Sequence, residues 1–168
     1  TFGHLEQYIK MKDANVPNEN ATVLLPGHPD TYAFIDAELT AIRKAFRTDR
    51  IHLGMDETHG LGLGKYLKEH GYRNPGEIYR EHLAMVLEIS GKYFKKPIIW
   101  SDMFFESADG RQYGLEVVDQ SVIDATPKDV NLCFWNYYRE NYDWYEAKLA
   151  QHVRFPNEIS FGGGIWTW

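Results

Sequence analysis

The chain alternates between two hydrophobic rhythms. From Asp30 onward, apolar residues recur at Ile35, Leu39, Ile42 and Phe46, the spacing that keeps one helical face buried, and Asp30 is placed to cap that helix. The short run "IHLGMD" at 51–56 reads as a strand. After a glycine-rich stretch the pattern predicts a short helix over Lys65–His70, then a longer one opened by "NPGE" at 74–77. There Asn74 caps, Pro75 sits in the first turn and Glu77 lies three residues beyond the cap. That helix is expected to run to about Phe94, with Lys95 and Lys96 suiting its negative end. "PIIWSD" at 97–102 and "VNLCFWNYY" at 130–138 read as further strands, and 103–126 as a loop with a short helix near 116–124. A last helix is expected to place Tyr142, Tyr145, Leu149 and Val153 on one face before a final strand, "ISFGGGIWTW", at 159–168.

Strands that are apolar almost throughout, each followed by a helix, imply parallel βαβ units, so the expected class is α/β. Side-chain alternation separates a doubly wound sheet from a barrel. If Ile51, Leu53 and Met55 face the helices, then His52, Gly54 and Asp56 face the other way. The same rule turns Trp100 with Asp102, and Cys133 with Trp135 and Tyr137, to that side. A face of polar, small and aromatic residues suits the interior of a barrel, with its ligand site at the carboxyl ends of the strands. A whole barrel takes about 250 residues. The 168 residues are therefore expected to form a single partial (β/α)8 TIM barrel domain, 1–168, covering roughly the end of strand 3 to strand 7. The N- and C-terminal parts of the barrel are expected to be missing.

Composition narrows the function classes. A formal charge of −6 argues against a broad nucleic-acid surface, which needs clustered Lys and Arg. No apolar run is long enough to span a membrane, so the expected partner is a small ligand and not a bilayer. The single cysteine, Cys133, excludes an internal disulfide and all-cysteine metal sites; with no visible signal peptide it leans towards the cytoplasm, although the first residue is not Met. Oligomeric state is not legible.

The chemistry gathers at strand ends. Asp56 and Glu57 are adjacent acids where a strand meets a turn, the place where both can address one ligand. Two carboxylates so close should push one pKa up, pairing a general acid with a charged stabiliser. Trp100, Trp135, Tyr137, Trp166 and Trp168 fall at or near predicted strand ends, and flat rings with polar rims suit the apolar face of a sugar. Gly54 would leave room for that ligand low over the barrel floor. Ordinary glycosidases need a second carboxylate across the bond. The late strand offers none, and Asp102 is the nearest alternative, which points to a substrate that supplies its own nucleophile, as 2-acetamido sugars do. Two other classes stay open: a non-catalytic carbohydrate-binding barrel, and a metal-dependent hydrolase using His52, Asp56, Glu57 and His59.

"HLGMDE" resembles the His-x-Gly-x-Asp-Glu signature of glycoside hydrolase family 20, the β-N-acetylhexosaminidases. "TFGHLEQY" resembles the end of that family's third strand, "KPIIWSDMFF" its fifth, "LCFWNYY" its sixth and "FGGGIWTW" its seventh. The resemblance implies a retaining glycosidase that removes terminal β-linked GlcNAc or GalNAc through an oxazolinium intermediate, with no cofactor and no metal. It implies Glu57 as general acid/base, Asp56 as orienter of the 2-acetamido group, and Tyr137 as hydrogen-bond donor to the acetamido oxygen. Trp100, Trp135 and Trp166 would wall the pocket, with Asp102 and Trp168 beside it, and His4 would support the acid pair. Trp168 stands where many members carry a Glu that holds a distal hydroxyl, which leaves the choice between gluco and galacto sugars open.

Overall fold

The computed structural model describes residues 23–106, 111 and 113–164. It divides into two compact units, one of the residues up to Ile51 with Thr58–Lys95, the other of His52–Glu57 with the residues from Lys96 onward.

The first unit is built on two long helices, α1 (Pro29–Ala45) and α3 (Pro75–Gly91), with the short α2 (Lys65–His70) before the second. Asn74 caps α3 as its sequence implies, its side-chain oxygen accepting from the N–H groups of Gly76 and Glu77. The cap of α1 is His28 and not Asp30: His28 Nδ1 accepts from the Asp30 N–H at 3.2 Å, so Asp30 lies inside the first turn. Pro29 then occupies the first helical position, where a missing N–H costs nothing. Ile35 and Leu39 are buried on α1, but the helix ends at Ala45 and leaves Phe46 60% exposed. Ile78, Leu83, Val86 and Ile89 are buried on α3. Asp36 ties the two helices together, accepting from Lys92 Nζ at 3.1 Å and from the Tyr93 hydroxyl at 3.0 Å.

The second unit carries most of the sheet, whose first strand begins in the first unit. Strands β1 (Arg50–His52), β2 (Lys96–Trp100), β3 (Asn131–Trp135) and β4 (Ile159–Gly162) follow one another in sequential order, and β2–β3 and β3–β4 are parallel pairs. A doubly wound sheet reverses its strand order at a switch point. No such reversal occurs among the described residues, and the architecture is α/β of the barrel kind. Each strand is shorter than its apolar run: β2 stops at Trp100, where Asp102–Phe104 form a single 3-10 turn, and β3 stops at Trp135. Asn136 ends β3 by accepting the N–H groups of Tyr138 and Arg139. The short helix expected near 116–124 is α4 (Gln120–Ala125), capped by Asp119.

Alternation in β3 holds. Phe134 packs on His152, Tyr145 and Phe161, while Trp135 turns to Trp100 and Tyr137. The final helix, α5 (Tyr142–His152), uses only part of the face its apolar residues mark out, Tyr145 meeting Phe134 and Phe161. Tyr142 and Val153 are 75% and 72% exposed, and the buried positions are Lys148 and His152. Both are polar and hydrogen-bonded: Lys148 Nζ donates to the Leu115 carbonyl at 2.7 Å, and His152 joins a buried network described below.

Candidate active site

The Asp56–Glu57 pair sits on a turn and not on a continued strand. Beyond His52 the backbone stays bonded to β2 for two more residues, Leu53 N–H donating to Ile98 O at 2.8 Å and Trp100 N–H to Gly54 O at 2.9 Å. Then φ becomes positive at Gly54 (76°), Met55 (74°) and Glu57 (49°). Glycine enters that region freely, whereas other residues do so at a cost of about 1 kcal/mol each. Gly54 therefore suits the bend itself, a reason beyond the expected space for a ligand. Two non-glycine residues in the left-handed region within three positions mark a turn that its surroundings hold in place. His52 supports the start of the bend: its Nδ1 accepts from Gly54 N–H at 3.1 Å and its exposed ring lies 4.2 Å from that of Trp100.

Asp102 holds the other end of the turn. Its side chain is fully buried, and Oδ2 accepts the Glu57 backbone N–H at 3.0 Å. Burial pushes its carboxyl up to about 7; the charge of Asp56 adds to the rise, and the Glu57 N–H and the Trp135 indole oppose it. The indole is near enough to favour the ionised acid but does not complete a hydrogen bond, since Asp102 Oδ1 and Trp135 Nε1 are both buried without a partner. Adjacency alone predicts a raised carboxyl within the acid pair; burial puts one at Asp102.

The aromatic wall is partly assembled in the same unit. Trp100 and Trp135 meet edge to face at 6.3 Å, and Trp135 lies 5.4 Å from Tyr137. The Tyr137 phenol is raised first by burial, then by Tyr138 and by the negative charges of Glu57, Asp56 and Asp102, so it keeps its proton and can donate. Asp56, Glu57, Tyr137, Trp100, Asp102 and Trp135 are thus gathered at the carboxyl ends of consecutive strands. His4, Trp166 and Trp168 lie outside the described residues.

Three further contributors are not evident from the sequence. Gly162 is one: a Cβ there would stand 2.9 Å from Trp100 Cζ3, so only glycine lets the indole lie against β4. The glycine run that ends the strand was the available signal. The others are Tyr113 and His152, which with Ser101 form a buried chain beneath the wall. Lys148 C=O can only accept, so His152 Nδ1 carries the proton (2.7 Å) and Nε2 accepts from Ser101 Oγ (2.9 Å). Ser101 Oγ then accepts from the Tyr113 hydroxyl (3.2 Å), whose oxygen accepts the Trp135 backbone N–H (3.2 Å). The single Ser101 proton has a second acceptor in reach, the Cys133 carbonyl at 3.2 Å. Nothing in the local sequence pattern marks this buried chain, because its members are 12 to 51 residues apart.

Among the described residues no group of three or more His, Cys, Asp or Glu converges to hold a metal, and no helix is long and apolar enough to cross a membrane.

No family model matches the sequence, and no curated protein matches it. Solved structures do match. A β-N-acetylhexosaminidase from Bacteroides fragilis aligns over 96% of this chain and 30% of its own, at 17% identity and a TM-score of 0.61. The family 20 β-N-acetylhexosaminidase from Streptomyces coelicolor aligns over 84% and 22%, at 15% identity and a TM-score of 0.51. The Streptomyces plicatus N-acetyl-β-hexosaminidase, in complex with Thio-NAglucal, aligns over 83% and 22%, at 17% identity and a TM-score of 0.50. The chain spans less than a third of the length of these structures. At such identities the likeness shows the fold, part of a (β/α)8 barrel.

Proposed function

We propose that this chain carries the acid end of a retaining glycoside hydrolase, similar to family 20, that removes terminal β-linked N-acetylhexosamine. The observation that carries this reading is the convergence of the Asp56–Glu57 turn, a proton-bearing Tyr137 and the paired indoles of Trp100 and Trp135 at adjoining strand ends. The solved structures of similar fold are β-N-acetylhexosaminidases, and one was captured with GlcNAc as its product, which supports the same sugar class.

In this mechanism Glu57 protonates the glycosidic oxygen as the carbonyl oxygen of the substrate's own 2-acetamido group attacks the anomeric carbon. The bond to the leaving group breaks and an oxazolinium forms. Asp56 orients the acetamido N–H and balances the positive charge that develops, and Tyr137 donates to the attacking oxygen. Glu57, now ionised, takes a proton from water as that water opens the oxazolinium with net retention. Trp100 and Trp135 form the wall against which the acetamido methyl packs. Roles for His4, Trp166 and Trp168 rest on the family resemblance alone.

The test is release of p-nitrophenol by the intact protein from its β-GlcNAc, β-GalNAc and β-glucoside derivatives. The expected outcome is turnover of one or both acetamido sugars and none of the glucoside. Equal rates on the glucoside would mean that the substrate does not supply the nucleophile.

A further inference from the structure

The Asp102 carboxyl is placed to act on the acid pair and not on a sugar. Both its oxygens are buried, so no ligand reaches them without displacing protein, and Oδ2 accepts the backbone N–H of Glu57 at 3.0 Å. That N–H belongs to a residue with φ of 49°, a conformation a glutamate does not choose unaided. Asp102 can reach it because β2 ends at Trp100 and the 3-10 turn Asp102–Phe104 swings the side chain back beneath the Glu57 peptide. The turn is itself anchored, the Phe105 N–H donating to the Asp102 carbonyl at 2.9 Å and the Phe104 N–H to that of Ser101 at 3.1 Å.

We infer that Asp102 is a positioning residue, which fixes the left-handed turn at Glu57 through its backbone N–H and so sets where the Glu57 carboxyl stands. The assignment rests on the glycosidase reading only for its catalytic consequence. The contact itself is independent of it. An acceptor is what the turn requires, and an amide oxygen supplies one as well as a carboxylate does. A side chain without an acceptor removes this hold on the Glu57 N–H and lets the acid drift, and a displacement of about 1 Å costs about a hundredfold in rate.

The experiment compares D102N and D102A in the intact protein by two readouts. With p-nitrophenyl β-GlcNAc or β-GalNAc, D102N is expected to keep at least about a tenth of the wild-type kcat, and D102A to lose about a hundredfold in kcat with KM changed by less than about threefold. Equal losses in both variants, or a loss confined to KM, overturn the inference in favour of a proton-transfer or substrate-contact role. The second readout, hydrogen exchange at the Glu57 amide, needs no substrate. Exchange about tenfold faster in D102A and unchanged in D102N supports positioning, and equal protection in all three proteins overturns it. Should D102A fail to fold, D102N decides alone: a loss of Glu57 amide protection in that variant overturns the inference. Absence of turnover by the wild-type protein would count against the glycosidase reading, and the amide measurement would still judge Asp102.

Discussion

Gly54, Met55 and Glu57 bend the backbone into the left-handed region within four residues, so substitutions there test the turn directly. G54A is expected to lower stability by about 1 kcal/mol or more, read from the denaturant midpoint, because alanine must adopt a φ of 76°. Asp102 makes a prediction of opposite flavour. Its carboxyl binds a proton up to about pH 7 in the folded protein but only to about 3.8 when exposed, so the native state holds more protons across that window and the contribution to stability falls as pH rises. Removing the charge removes that slope. D102N is expected to gain stability relative to wild type progressively between pH 4 and pH 7 in urea unfolding; a gap that does not change with pH would contradict the raised carboxyl. At this scale the sequence identified the acid pair and its aromatic neighbours, since residue type and chain position suffice for that. The positive φ at Gly54 was not legible, because a strand pattern carries no sign of where φ will change hand.

Strands and helices set the next level of control. Trp100 lies against β4 only because Gly162 has no side chain, its absent Cβ falling 2.9 Å from the indole. G162V is expected to displace Trp100, shifting tryptophan emission and, under the glycosidase reading, raising KM for the acetamido sugar about tenfold or more. Helix α5 carries a pH dependence of its own. Burial holds His152 neutral, with a pKa of about 4 against 6.5 when exposed, and the unfolded chain therefore binds more protons between those values. The resulting stability is complete above about pH 6.5 and lost as pH falls towards 4, amounting to roughly 3 kcal/mol. H152Q is expected to flatten the acid side of the stability profile, as measured by denaturant midpoints from pH 4 to 7. The helices were legible from caps and periodicity, as Asn74 and Pro75 show on α3. The buried face of α5 was not, because Lys148 and His152 are buried through hydrogen bonds to Leu115 and Ser101 that no hydropathy pattern reports.

For the whole molecule, consecutive parallel strands bring residues from 56 to 137 to one end of the sheet, the arrangement a barrel site requires. If Glu57 is the general acid, E57Q should lose about 10²- to 10⁴-fold in kcat on sugars with poor leaving groups. It should lose much less on nitrophenyl glycosides, whose departure needs little protonation, and added azide should restore turnover by replacing water as the nucleophile. Equal losses across leaving groups would remove Glu57 from the acid role. The sequence by itself determined the α/β class, the helices that separate the strands, and the positions of the acids and indoles, because these depend on period, local caps and residue chemistry. Only the tertiary structure decided that the strands stop early and that Glu57 is held by Asp102, 45 residues away. It alone also decided that Trp100 rests on Gly162 and that a buried histidine orders the backbone of Trp135 through Ser101 and Tyr113. Those are contacts between distant segments, and their energies depend on burial and partner geometry that exist only once the chain has folded.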